Sequence, residues 1–275
     1  MIDVFGSTGF IGSRYCEMYP KVNKVGREDR ESSSSDILYF LSTNTNYNVY
    51  RDVHLDIDTN LNILMDVLSN CGETKPTFNF ISSWFVYGDT TTLPAKESDQ
   101  CNPKGFYSIT KKCAEDLLIS YCKTFGIPYR ILRLSNVYGL QDLKYSKEKN
   151  ALMFLISKMI VHEDIGLYHG GQFIREYTHV DDIWRAINLI INSGPVDEIY
   201  NVGCGEQHLF RNLIGHARKR LNSKSKIQSI SPSEFHDIVQ VKDMYMDTTK
   251  LKALGFSPKI GIYDGINSLC DGMKF

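Results

Sequence analysis

The chain of 275 residues has no excess of charge of either sign: 31 Lys and Arg stand against 32 Asp and Glu, a net charge of −1. That balance excludes a nucleic-acid binder driven by bulk electrostatics and a polybasic membrane patch. No apolar run is long enough to span a bilayer. The chain opens on an apolar strand, with no basic segment followed by an apolar one, so no secretory leader is expected. Cys16, Cys71, Cys101, Cys113, Cys122, Cys204 and Cys270 are odd in number, and no two have Cys-x-x-Cys spacing. Neither a disulfide framework nor a zinc site is therefore expected, and a reducing cytoplasm is the expected location. His162, His169 and His179 lack ligand spacing, so no metal is expected. There is no internal repeat, and the serines at 32–35 are too few to link independent domains.

What is present begins with Met1–Phe5, an apolar strand, followed by the glycine turn Gly6-Ser7-Thr8-Gly9-Phe10-Ile11-Gly12 and a helical stretch from Arg14 to Tyr19. Strand, glycine turn and helix in that order suggest a dinucleotide fingerprint, in which backbone amides approach a pyrophosphate at the helix start. Val22 to Val25 reads as the second strand, ended by Gly26-Arg27. An arginine there favours a 2′-phosphate, so the cofactor is read as NAD or NADP with a slight lean to NADP, although Glu28 and Asp29 compete for the ribose hydroxyls. Asp36 to Leu41 is the next strand, and the polar loop from Ser42 to Asn48 lies at its carboxyl end, where open parallel sheets bind cofactors. Leu41 and Ser42 join the glycine-turn residues as candidate cofactor contacts. A helix follows over 60–68, running out near Cys71-Gly72, and then a strand at 78–81.

Tyr107 and Lys111 are four residues apart at the head of a helix whose apolar positions are Cys113, Ala114, Leu117, Leu118 and Tyr121. Positions four apart share a helix face, so the Lys111 ammonium is expected near the Tyr107 hydroxyl. Positive charge there lowers the phenol pKa toward the range of a general base or acid.

Several motifs then fall in one order: GSTGFIG at 6–12, ISSWFVYG at 81–88, YSITK at 107–111, LRLSNVYG at 132–139, REYTHVDDI at 175–183, YNVG at 200–203 and DTTKLKALGFSP at 247–258. Together they resemble the extended short-chain dehydrogenase/reductase family, in its nucleotide-sugar epimerase/dehydratase branch. The resemblance implies an α/β fold, a Rossmann-type doubly wound parallel sheet with a smaller α/β substrate-binding domain. Residues 1–140 would form the NAD(P)-binding domain and 141–275 mainly the nucleotide-sugar domain, with a helix at 181–192 packing back on the first. It assigns Gly6, Gly9 and Gly12 to the cofactor pyrophosphate, with Thr8, Phe10 and Ile11 beside them. It makes Ser83, Tyr107 and Lys111 catalytic, with Tyr107 and Lys111 also in contact with the cofactor, Lys111 on the nicotinamide ribose. Asn136 and Arg175 would meet the substrate diphosphate, and Ser83 and Trp84 would line the sugar site. Asp181 and Asp182 are read as structural, at the start of a helix.

Two departures stand out. The span between the glycine turn and ISSWFVYG is short, as if a strand and a helix before Asp36 were reduced to the serine loop. In the sugar 4,6-dehydratases of this family an acid follows two residues after the catalytic serine or threonine; here Trp84-Phe85 supplies none. The expected activity is therefore nucleotide-sugar epimerisation at carbon 4. An NADPH-dependent reductase of a nucleotide-linked 4-keto sugar is the alternative; a dehydratase or a non-catalytic NAD(P)-binding protein ranks lower. The charged stretch 139–150, with Asp142, Lys144, Lys147, Glu148 and Lys149, reads as a mobile entrance loop. Further elements are expected at 151–160 (helix), 166–174 and 176–180 (strands), 183–191 and 209–221 (helices), with a linker-like turn and strand over 224–233. The expected partners are a nucleotide-diphosphate sugar and a second copy of the chain, joined through helices at about 60–70 and 106–125, with no nucleic acid and no membrane.

Overall fold

The computed structural model describes residues 1–71, 74–90, 92–142 and 146–273. Gly72 and Lys144, which belong to two of the segments expected above, lie outside them. The amino-terminal half contains β1 (Ile2–Phe5), α1 (Phe10–Met18), β2 (Asn23–Lys24), β3 (Asp36–Tyr39), α2 (Leu55–Ile57) and α3 (Ile63–Ser69). A π-helical segment, Asp58–Asn62, joins α2 to α3. Next come β4 (Thr77–Ser83), α4 (Phe106–Phe125), β5 (Tyr129–Leu134) and β6 (Asn136–Tyr138). The second half adds α5 (Ala151–Ile160), β7 (Ile165–Tyr168), β8 (Ile174–Arg175), β9 (Tyr177–His179), α6 (Val180–Ser193) and β10 (Glu198–Val202). It ends with β11 (His208–Leu209), α7 (Phe210–Arg220), β12 (Ile227–Ile230), α8 (Glu234–Val239), α9 (Thr249–Ala253) and α10 (Ile262–Gly272).

Six strands form one parallel sheet in the order β10-β5-β4-β3-β1-β2. Both faces are covered, so consecutive residues of a strand enter different cores. Val4, Leu38, Ile81 and Leu132 pack with Ile183, Trp184 and Ile187 of α6 and Tyr15 of α1. Their strand neighbours Phe5, Ile37, Phe80 and Ile131 pack on the other side with Leu64, Val67 and Leu68 of α3 and Ala114 and Leu118 of α4. Each Val, Leu, Ile or Phe among them contributes about 1.5–3 kcal/mol when fully buried. A third core, Leu152, Ile156, Leu167, Leu213, Ile214 and Ile266, joins α5, α7 and α10 beside β7.

The short connection between β2 and β3 holds no strand or helix of its own. Its serines instead cap a buried acid on β1. Ser34 Oγ donates to Asp3 at 2.6 Å, Ser32 Oγ at 2.7 Å and the Ser33 amide at 3.1 Å. Burial raises the Asp3 pKa, but these bonds and one from Asn23 outweigh it and hold the carboxyl below its ordinary value. The two residues of β2 are exposed and form the edge of the sheet.

Other elements differ in extent from their sequence patterns. The helix expected over 60–68 begins at Leu55, because its first turns bury polar groups. Asn60 Nδ2 donates to Thr43 Oγ1 and Thr110 Oγ1, each at 2.9 Å, and Asp56 accepts from Asn48 Nδ2 and the Thr43 hydroxyl. The strand expected over 166–174 breaks at a turn, His169–Gly171, where Gly170 and Gly171 take positive φ. In the stretch 139–150 read as a mobile loop, Glu148 pairs with Arg51 at 3.0 Å and Asn150 caps α5 by accepting from the Met153 amide.

Candidate active site

The carboxyl end of β1 opens into Gly6 at φ 84°, a left-handed conformation that glycine adopts without penalty. A Cβ on Gly12 would stand 2.3 Å from the Gly6 carbonyl oxygen, so only glycine lets the helix approach the turn this closely. Helix α1 starts at Phe10 with no acidic residue in its first turn and no side-chain cap. Its first amides therefore stay available at the positive end of the helix, and the cradle fits a pyrophosphate.

This turn opens on a cleft of about 1050 Å³. Gly6, Thr8, Gly9, Phe10, Ile11, Gly12 and Ser42 line it, together with Ser83, Trp84, Tyr107, Asn136 and Arg175. Three candidates lie elsewhere. Arg27 is exposed and outside the cleft, so its position gives the lean toward NADP no support. Leu41 packs beneath the sheet rather than into the cleft. Lys111 is fully buried behind it.

Helix α4 carries the central residues on one stripe, Tyr107, Lys111 and Glu115, spaced four apart and facing β4. Its start is set by Ser108, whose Oγ accepts from the Gly105 amide at 2.9 Å, and its end by Gly126 at φ 65°. Lys111 Nζ donates to the Ile81 carbonyl at 2.7 Å and stands 4.0 Å over the Phe80 ring. Burial lowers the Lys111 pKa to about 7, against an opposing pull from Glu115. Burial raises the Tyr107 phenol to about 12, opposed by a hydrogen bond with the Ser83 side chain and assisted by the Asp56 charge. The expectation that Lys111 lowers the tyrosine pKa is thus corrected. Both groups are desolvated, and the ammonium is turned to a strand carbonyl.

Ser83 ends β4 and caps the turn Trp84–Tyr87, its Oγ accepting from the Phe85 amide at 3.3 Å. The Trp84 and Phe85 rings stack with centroids 3.9 Å apart, and Phe85 stands edge-on to Tyr107 at 6.0 Å.

Across the cleft, Asn136 Nδ2 donates to the Glu176 carbonyl at 2.9 Å. Arg175, read from sequence as a diphosphate ligand, is buried and donates to the carbonyls of Ile174, Val241 and Lys242. Its guanidinium lies 5.4 Å over Trp84 and 4.8 Å over Phe173, and burial lowers its pKa to about 10. In this structure it ties segment 241–242 to β8, while still lining the cleft.

The neighbouring Glu176 is a buried carboxyl that accepts from the Gly205 amide at 2.9 Å and the Met246 amide at 2.8 Å. Burial raises its pKa to about 7, with those amides pulling the other way. The folded state then holds a proton that the unfolded chain releases near 4.5. Stability from this group is complete below the unfolded value and is lost as pH rises through about 7. The melting temperature of wild type relative to Glu176→Gln is expected to fall as pH is raised from about 4.5 to about 7; a constant difference in a pH series of thermal melts refutes this.

Sequence reading also missed a hydrogen bond between two cleft-lining residues from distant segments. The Tyr47 hydroxyl lies 2.6 Å from His236 Nδ1, and the His236 ring packs 4.3 Å from that of Tyr168. Tyr47 comes from a short 3-10 turn after β3 and His236 from α8, and both line the cleft. No spacing signal links residues 189 apart in the chain.

A parallel sheet with a glycine cradle at one end of its crevice, and a serine–tyrosine pair facing the same crevice, defines a Rossmann-type short-chain dehydrogenase/reductase. The chain belongs to the NAD dependent epimerase/dehydratase family, which matches residues 31–203. A Methanocaldococcus jannaschii protein, named provisionally as a UDP-glucose 4-epimerase, is 30% identical over 190 residues. The match covers 69% of this chain and 60% of that protein, so the chain aligns with less than two thirds of this relative's length. Among solved structures, a UDP-glucose 4-epimerase from Thermotoga maritima with UDP-glucose superposes with a TM-score of 0.88 at 21% identity, covering 98% of this chain and 97% of the other. RMD from Pseudomonas aeruginosa, complexed with NADPH, gives 0.85 at 18% identity, with 98% and 97% covered. Among the described residues no helix is long and apolar enough to cross a membrane, and no group of His, Cys, Asp or Glu has the arrangement of a metal site.

Proposed function

We propose that the chain is a nucleotide-sugar epimerase acting at carbon 4 through a 4-keto sugar. The observation that carries this reading is that Ser83 and Tyr107 line one cleft together with the glycine cradle, Asn136 and Arg175. A nicotinamide dinucleotide supplies the hydride acceptor and donor when bound. Gly6, Gly9 and Gly12 would hold its pyrophosphate, and Thr8, Phe10, Ile11 and Ser42 would border it. Tyr107 would take the proton of the carbon-4 hydroxyl and return it after the sugar has turned over. Positive charge entering the cleft would favour its base form. Ser83 would hold the sugar oxygen, and Lys111 would position Tyr107 from behind through β4. The cofactor half would comprise residues 1–140 with α6 packed on it, and 141–275 would mainly hold the nucleotide sugar.

Mass spectrometry of the cofactor carried by purified protein, followed by a nucleotide-sugar screen, tests the proposal. Retained NAD with isomerised sugar and no net redox change supports it; no isomerisation of any nucleotide sugar by cofactor-loaded protein sinks it. One observation favours a second reading. The β2–β3 connection has no strand or helix of its own, which would give a bound cofactor less to pack against on that side and suits one that exchanges. An NADPH-dependent reductase of a 4-keto nucleotide sugar would use Tyr107 as proton donor and consume cofactor stoichiometrically.

A homodimer is part of the proposal. Phe106, Ile109 and Leu117 of α4 and Leu55 and Ile57 of α2 are exposed apolar side chains on neighbouring helices. Such a patch on a soluble chain marks an association surface. Ile109→Glu is expected to yield monomers in light scattering at concentrations where wild type is dimeric; a dimeric variant removes this face from consideration.

A further inference from the structure

We infer that the sugar taken by this cleft carries a methyl group or a hydrogen on carbon 5, rather than a hydroxymethyl or a carboxylate, and that Phe85 is the residue that selects it. The inference rests on the carbon-4 reading above. Phe85 is partly buried, lines the cleft and stands edge-on to the Tyr107 ring at 6.0 Å. A sugar whose carbon 4 meets the Tyr107 hydroxyl would then set one of the two neighbouring ring carbons toward Phe85. Trp84, 3% exposed, backs it at 3.9 Å. Behind the pair, Val241, Met244 and Met246 continue the same apolar cluster, so the wall cannot swing away without opening a cavity. The Arg175 guanidinium over Trp84 is already bonded to three backbone carbonyls. A group pressed on this wall therefore meets carbon and no free cation from Arg175.

Carbon 4 has two ring neighbours. Carbon 3 carries a hydroxyl, which would lose its bonds to water against the wall and gain none. Carbon 5 must then face Phe85, and the same argument applies to its substituent. A hydroxymethyl leaves an unpaired hydroxyl and a carboxylate an unpaired charge; a methyl or a bare hydrogen leaves nothing unpaired. This describes a 6-deoxyhexose or a pentose carried on a nucleoside diphosphate.

The test measures kcat/KM for the uridine and thymidine diphosphate forms of glucose, 6-deoxyglucose, xylose and glucuronate. With each nucleotide, 6-deoxyglucose or xylose is expected to exceed glucose by about 10- to 100-fold, the range over which apolar pockets discriminate, and glucuronate to come last. Phe85→Ser should narrow or invert the preference, while Phe85→Leu, still apolar, should keep it. A wild-type preference for glucose or glucuronate overturns the inference, as does an unchanged ranking in Phe85→Ser. Calorimetric binding of the same sugars to cofactor-loaded protein separates the two levels of argument. The expected ranking in binding with no turnover of any sugar overturns the carbon-4 chemistry but supports the Phe85 selectivity; a flat ranking overturns the selectivity itself.

Discussion

Tyr107→Phe is expected to lower turnover about 10²- to 10⁴-fold, the span that a positioned acid–base group contributes. Dinucleotide affinity should stay nearly unchanged, because the substitution leaves every residue of the glycine cradle in place. The substitution removes one oxygen and keeps the ring. The edge contact with Phe85 survives, and so does the packing of a residue that is 9% exposed. What is lost is the phenol hydroxyl, the group that would carry the proton. Ser83→Ala should cost less, since the phenol can still carry the proton. Steady-state turnover and a fluorescence titration with the dinucleotide check the pair of expectations. Turnover within tenfold of wild type would show that another group moves the proton.

The second large effect falls on stability and comes from a residue that no motif marks. Glu115, 1% exposed, accepts from Arg133 Nε at 3.0 Å, from its second terminal nitrogen at 2.7 Å, and from Ser82 Oγ at 2.5 Å. It is the third member of the α4 stripe, and its charge supports the buried Lys111 ammonium. Glu115→Ala leaves the Arg133 and Lys111 charges unmatched beneath the site. Breaking one side of a buried pair costs about 3–5 kcal/mol. Domain stabilities are about 5–15 kcal/mol, so the variant should unfold at much lower urea. Glu115→Leu combined with Arg133→Met removes both charges of the pair and should cost less than the single change. Urea melts of the single and double variants decide this; a loss below about 1 kcal/mol in Glu115→Ala would mean that water reaches the pair.

Legibility from sequence followed the range of the forces involved. The glycine turn was readable because its chemistry is local: strand, φ-permissive turn and helix start fall within eleven residues. The strand faces were partly readable, since the alternation of Val4 and Phe5 or Phe80 and Ile81 between two cores shows only as continuous hydrophobicity. The helix from Leu55 was under-read because Asp56 and Asn60 look like surface residues until Thr43 and Thr110 are brought to them. Glu115 was missed although it stands four residues after Lys111, a spacing that would have placed it on the same stripe.

Placement within the cleft shows the same division. Spacing put Tyr107 and Lys111 on one helix face, and the structure keeps them there. Spacing carries no information on dielectric surroundings, and burial reverses the expected effect on the phenol. Arg175 was marked by its motif, but its hydrogen bonds depend on where segment 241–242 lies, more than sixty residues away.

By itself, then, the sequence determined the family, the glycine turn and the order of the serine, tyrosine and lysine, because these are written in short stretches whose backbone geometry follows from residue type. Only the tertiary structure decided which charges are matched, which groups are dry, and that Trp84 and Phe85 wall the space beside Tyr107. Those are properties of side chains from distant segments sharing one low-dielectric volume, and adjacency in the chain does not encode them.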